Sequence, residues 1–176
     1  MEPGSRTLAD KLAVFIAEGF GVGRIPFAPG TFGTALGLGW IYLLLLPRSL
    51  PLYCAGIAAG FFLATWLGAW AEKVLGAKDP GSIVIDEITA MPLAFLPAVL
   101  LTTSGSVTLE PAKFLAGKLV ILPILAFVLF RFFDIAKPLG IARVQTIPGG
   151  IGLVLDDFLA AIPAALLLFL YMKIAG

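Results

Sequence analysis

Apolar residues in this 176-residue chain gather into five long runs, at residues 32–46, 52–70, 88–101, 114–133 and 158–174, separated by joints that carry charges, prolines or glycines. Runs of this length and apolarity are candidate membrane helices. At about 1.5 Å per residue the first and third reach only about 21–23 Å, short of a hydrocarbon core of ~30 Å. Pro92 and Pro97 interrupt the third run, which predicts a kink or a partial, re-entrant insertion there. Ahead of the runs, Leu8, Leu12, Phe15 and Ile16 recur at helical spacing, with Asp10, Lys11 and Glu18 off that stripe and Thr7 and Asp10 placed for a capping box. This pattern predicts an amphipathic helix that lies at the membrane surface or packs on the rest of the protein. The expected fold is all-α: a polytopic membrane helical bundle of four to five spans plus an N-terminal amphipathic helix. It is expected to form a single domain, with residues 1–20 as the interfacial helix and 21–176 as the catalytic bundle.

Composition agrees with that reading and removes several chemistries. Apolar residues make up 60% of the chain and charged residues 13%, with a mean hydropathy of +1.04. An ordinary soluble domain is about one quarter charged. The net charge of +1 leaves no footprint for nucleic acid. Cys54 is the only cysteine, so no intramolecular disulfide or cysteine zinc cluster forms. The chain has no histidine, which excludes Ser-His-Asp triads, histidine phosphatases and His-ligated zinc. The first twenty residues carry charges at intervals and lack an uninterrupted apolar stretch, so they do not read as a cleaved signal peptide.

Threading five spans through a bilayer sorts the charges. Ten of the eleven acids fall on one side, with Glu110 the exception, and so do Arg6, Lys11, Arg24, Lys73, Lys78, Arg131, Lys137 and Arg143, eight of the twelve basic residues. The positive-inside rule makes that side cytoplasmic. One crowded polar face on an apolar protein is where chemistry is expected.

The acids on that face stand near run ends: Asp86 and Glu87 before the third, Asp134 after the fourth, Asp156 and Asp157 before the fifth. One acidic pair is explained by the helix dipole, which favours a first-turn acid by about 0.3–1 kcal/mol. Arg131, Asp134 and Lys137 also fit a surface charge ladder. Two pairs plus Asp134 on one face point instead to hard oxygen ligands for Mg²⁺ or Mn²⁺. The glycine-rich stretch 19–33, opening into a helix near Thr31, is either an anion cradle or an irregular entry into the bilayer. A transporter is the competing class, but it predicts mid-span charges or inverted repeats. Lys118 alone lies well inside an apolar run, and no repeat is visible.

The segments GRIPFAPGTFGT at 23–34, DPGSIVIDE at 79–87, FRFFDIAKP at 130–138 and GGIGLVLDD at 149–157 resemble, in order and spacing, the blocks of the phosphatidylglycerophosphatase A family. The resemblance spans residues 19–162. It implies a bacterial inner-membrane, Mg²⁺-dependent phosphatase that acts on a phospholipid in the bilayer, taking phosphatidylglycerophosphate to phosphatidylglycerol for phospholipid biosynthesis. Phosphatidic acid is the alternative substrate. It implies functional roles for Asp86, Glu87, Asp134, Lys137, Asp156 and Asp157, the five acids as metal ligands, with Pro29, Gly30 and Thr31 in the loop. Arg24, Arg131, Lys137 and Arg143 are the cations expected to meet the phosphate. Family members often carry Trp-Pro where this chain has Leu139 and Gly140, and His where it has Pro148; neither departure touches an expected ligand. Cysteine-phosphatase chemistry is absent, since Gly60 stands where Cys-x5-Arg needs arginine after Cys54, and no Asp-x-Asp occurs. Carboxylate-and-metal phosphoryl chemistry remains.

Overall fold

A computed structural model of the chain describes residues 6–103, 110–115, 117–147 and 149–175. Residues 1–5 of the expected interfacial helix, and Pro148, lie outside them. Six α-helices follow in order: α1 (Leu8–Ala17), α2 (Pro29–Leu45), α3 (Leu50–Leu75), α4 (Ile85–Thr103), α5 (Ile121–Ala136) and α6 (Gly150–Ala175). No strand occurs among the described residues, as the apolar runs predict. Among the described residues four stretches are long and apolar enough to cross a membrane, Leu50–Leu75, Ile85–Thr102, Gly117–Ala136 and Gly150–Ala175. The first run stays short: α2 has 17 residues, or about 25 Å.

The middle of the bundle is α4, which packs against α2, α3, α5 and α6. Ala90, Met91, Ala94, Phe95, Ala98 and Val99 along it are fully buried. Pro92 and Pro97 fall inside this helix without ending it. Each removes one N–H from the ladder, and the Tyr53 hydroxyl donates to the Pro92 carbonyl at 2.9 Å, tying α3 to α4 there. Small residues set the helix spacing. A Cβ at Gly33 or Gly37 would run into Val84 or Met91, and one at Gly150 would run into the backbone of Thr65 and Ala69. Such residues let helix backbones approach closely in a membrane, where burying apolar surface provides little drive.

Around this core the large side chains face outward. Phe62, Trp66, Val128, Phe132, Leu166 and Ile174 are all exposed, as lipid-facing positions require. Helix α1 follows the same inversion. Its start is as expected, with Thr7 and Asp10 forming a complete capping box. The face it packs on α3 is Ala13, Val14 and Ala17, whereas Leu8, Leu12 and Phe15 of the expected stripe are exposed. The packing alternative is the one observed, and the apolar stripe is left on the exposed face. The Trp70 indole N–H donates to Asp10 at 2.9 Å, and the Val84 N–H donates to the Ala17 carbonyl at 3.0 Å, pinning α1 beside the start of α4.

Several helices run beyond or start away from the apolar runs that predict them, and the starts of α2 and α6 bear on the site. Helix α2 begins at Pro29, two residues before Thr31, because proline suits a first helical position where no N–H is needed. Helix α6 begins at Gly150, so Asp156 and Asp157 lie within it rather than at its start. The apolar residues Ile151, Leu153, Val154 and Leu155 extend the helix ahead of the charged pair. Helix α5 begins at Ile121 rather than Phe114, after two 3₁₀ segments at Pro111–Leu115 and Gly117–Val120, and runs three residues past Phe133 to Ala136, where Lys137 takes a left-handed conformation at φ 38° and Pro138 follows, which cannot continue the ladder.

Candidate metal and phosphate site

Four helix ends meet at one end of the bundle and bring the charges together. Asp86 and Glu87 occupy the first turn of α4, where uncompensated amides favour acids. Asp156 and Asp157 lie about 9 Å into α6, too far for the dipole to explain them. Asp86, Asp134, Asp156 and Asp157 are buried, and Glu87 is 13% exposed. Burying so many carboxylates is costly unless something positive compensates.

The five acids divide into two sets. Asp86, Glu87 and Asp157 each offer an oxygen, and the three lie within 4.8 Å of one another. Within this set the Glu87 Oε2 and Asp157 Oδ2 atoms are buried with no hydrogen-bond partner. Asp134 and Asp156 instead face cations. Arg131 donates to Asp134 at 2.5 Å and stands 3.7 Å from Glu87. Lys137 pairs with Asp156 and lies 3.8 Å from Asp134. Burial draws the Lys137 ammonium down, but its bond to Asp156 and the charges of Asp156, Asp157 and Asp134 outweigh this and leave its pKa raised. It is a fixed cation.

The glycine-rich stretch reaches the site through its end. Pro29 opens α2, and its cap residue Ala28 supplies no side-chain hydrogen bond, leaving the helix start open. Gly30 lies so close that a Cβ there would overlap Glu87 Oε1 and approach the Arg131 guanidinium. The Thr31 N–H donates to the Ala28 carbonyl. One turn on, the buried Thr34 hydroxyl donates to the Gly30 carbonyl at 2.8 Å and accepts from Arg131 at 3.4 Å. Sequence reasoning missed Thr34; its spacing of four residues from Gly30, on the same helix face, was the available signal. Arg24 is 62% exposed and pairs with Glu18 at 2.7 Å. Arg143 is exposed on the 3₁₀ segment Pro138–Thr146 and makes no ion pair among the described residues. The structure therefore brings Arg131 and Lys137, but neither of these two arginines, onto the carboxylates.

Such a group of carboxylates beside two cations and an uncapped helix start has the parts for metal-assisted chemistry on an anion. Comparison with known sequences fits this: residues 15–172 match the family model described as Phosphatidylglycerophosphatase A. The chain belongs to the phosphatidylglycerophosphatase A family. That membership makes it a phosphoric monoester hydrolase and sets aside the transport reading. A Haemophilus influenzae protein named Phosphatidylglycerophosphatase A is 36% identical over 157 residues, covering 88% of this chain and 85% of its own length. Its namesake in Escherichia coli is 31% identical over 156 residues, covering 88% and 80%. A Bacteroides thetaiotaomicron protein named "Putative phosphatidylinositol-3-phosphatase" is 35% identical over 172 residues, covering 94% and 96%. No solved structure matches the chain.

Proposed function

We propose that this membrane protein is a Mg²⁺-dependent phosphatase that hydrolyses phosphatidylglycerophosphate to phosphatidylglycerol and phosphate in phospholipid biosynthesis. The observation that carries the reading is the set of Asp86, Glu87 and Asp157 within 4.8 Å, with unpartnered buried oxygens on Glu87 and Asp157. A hard divalent cation fits this donor set, which is all carboxylate oxygen. Asp86, Glu87 and Asp157 would hold it. When bound, Mg²⁺ supplies Lewis-acid polarisation of a phosphoryl oxygen and lowers the pKa of water.

The chain's own groups do the rest. Arg131 and Lys137 take the phosphate oxygens and offset the charge that builds on them in the transition state. Asp134 and Asp156 orient those two cations, and Thr34 holds Arg131 against Gly30. The start of α2 adds the Gly30 N–H and a favourable dipole for the anion. Water adds to phosphorus as the bond to the lipid glycerol oxygen breaks, and that oxygen leaves with a proton.

Phosphate release from phosphatidylglycerophosphate, phosphatidic acid, phosphatidylinositol 3-phosphate and a soluble phosphomonoester by the purified protein tests the reading. The two relatives named for phosphatidylglycerophosphatase favour the first substrate, and the Bacteroides relative's name is the reason to include the third. Excess chelator is expected to reduce release to background, and Mg²⁺ to restore it. Full turnover in chelator would overturn the metal assignment.

We place the protein in the bacterial inner membrane with the site facing the cytoplasm and α1 at that interface, its exposed Leu8, Leu12 and Phe15 in the head-group region. Cysteine at Lys78 is expected to resist a membrane-impermeant thiol reagent on intact cells with a permeabilised outer membrane, in a Cys54→Ala background. Cysteine at Ala112 is expected to react. The reverse pattern inverts the orientation.

A further inference from the structure

A second feature lies along the seam between α2 and α5. A cavity of about 210 Å³ opens there between Leu38, Ile41 and Tyr42 of α2 and Ile124 of α5, with Phe95 of α4 and Phe114 among its walls. Its lining residues are apolar apart from Tyr42. An ordered water needs two to four polar partners, so this space suits an apolar occupant. Its α5 wall lies within the membrane-crossing stretch Gly117–Ala136, and its other end reaches Leu45 and Pro111, at the end of the bundle away from the carboxylates.

Register connects this groove to the phosphate site. Leu38 lies one turn beyond Thr34 on the same face of α2, and Ile124, Val128 and Arg131 follow one another at i, i+4 and i+7 along α5. Thr34 and Arg131 touch at 3.4 Å and close the seam at its site end. Ile124 and Val128 are 50% and 54% exposed, so the seam below Arg131 is open sideways to lipid. The groove starts about 10 Å beneath the guanidinium, seven residues along the helix.

We propose that this groove holds an acyl chain of the phospholipid whose phosphate is bound by Arg131 and Lys137. The inference rests on the lipid-phosphatase reading above. The occupant follows from the surroundings: the only long apolar chain whose polar end belongs at Arg131 is that of the substrate itself. A lipid enters laterally between α2 and α5, and its chain lies against Ile124 and Leu38 while the phosphate meets the cations. Recognition is therefore of a long-chain phosphomonoester, with the far end of the chain seated in the groove.

Filling the groove tests this. Ile124→Trp, on a half-exposed wall that tolerates bulk, and Leu38→Phe on the opposite wall are assayed with dioleoyl and dihexanoyl phosphatidylglycerophosphate in the same detergent. The six-carbon chains end above the groove. Both variants are expected to raise KM for the dioleoyl substrate about tenfold, with kcat unchanged and the dihexanoyl substrate unaffected. No change on either substrate, or equal losses on both, overturns the proposal, the first leaving a structural lipid or an empty groove. A second readout separates it from the activity. A non-hydrolysable phosphonate analogue with a photoreactive group at its chain end is expected to label residues 38–45 and 114–124 of the wild-type protein. Labelling there without hydrolysis of any phospholipid would defeat the phosphatase reading and leave the groove standing, and hydrolysis without such labelling would do the reverse.

Discussion

Asp86→Asn, Glu87→Gln and Asp157→Asn are each expected to lower phosphate release by about a thousandfold or more, and any two combined to be scarcely worse than one. Groups that act as a unit show such non-additivity, because removing the first already abolishes what the others serve. Asp134→Asn and Asp156→Asn are expected to lose less, about 10–100-fold, the usual cost of removing a partner that orients a working group. Metal affinity measured with Mn²⁺ on the same preparations distinguishes the sets: it falls in the first three and stays near wild type in the other two. Lys137→Ala should also retain metal while turnover falls. A stability readout accompanies these. Three carboxylates crowded within 4.8 Å repel one another when no cation lies between them. Each amide substitution is therefore expected to raise the melting temperature of chelator-treated protein, by about 2–4 °C for each kcal/mol of repulsion relieved. Normal metal binding and near wild-type turnover in all five variants would reduce these acids to buried ion pairs and helix-end charges.

The other large effect is expected at Gly30. A Cβ there overlaps the Glu87 carboxylate and crowds Arg131, both of them ends of flexible side chains that can swing aside. Gly30→Ala is expected to cost little stability and about a hundredfold in turnover, because moving a group by about 1 Å at a reacting centre costs that much. Gly150→Ala makes the opposite case. Its Cβ would meet the main chain of α3 at Thr65 and Ala69, which cannot swing, so helices α3 and α6 must separate. That substitution is expected to destabilise the fold by about 1–3 kcal/mol, visible as a lower melting temperature with or without metal. Equal losses of stability in the two variants would mean that Gly30 serves packing rather than the site.

Much of this architecture was legible in the chain. Five apolar runs and the charges left at their joints predict an all-α membrane protein with one polar end, and the capping box at Thr7 and Asp10 marks where α1 begins. Which face each helix buries was not legible. A hydropathy stripe selects Leu8, Leu12 and Phe15, yet these point outward and the packed face is Ala13, Val14 and Ala17. Large apolar residues are content facing lipid and small ones allow helices to meet, so a stripe of large residues does not by itself mark the packed face, although Tyr53, Phe95 and Phe130 are buried. The start of α6 was hidden for a related reason: Asp156 and Asp157 look like a boundary to any rule that ends helices at charge. The division of five acids into a close trio and two that hold Arg131 and Lys137 depends on how α4, α5 and α6 are rotated about their axes. Spacing within one helix carries no information about rotation relative to another. The i, i+4 spacing of Thr34 from Gly30 was legible within α2, but its contact with Arg131 on α5 was not.

The shortness of α2 has a consequence for where substrate is found. A helix of about 25 Å in a bundle whose α3 and α6 have 26 residues each, enough for the full ~30 Å of hydrocarbon, would leave a mismatch that lipid relieves by thinning locally. Were α2 to cross the bilayer, head groups bordering it would ride lower than those around α3 or α6, alongside the edge that leads to Arg131. A phospholipid diffusing past this edge already carries its phosphate part of the way down to the carboxylates. On that account turnover is expected to be higher in thin bilayers than in thick ones, measured in vesicles of different acyl-chain length.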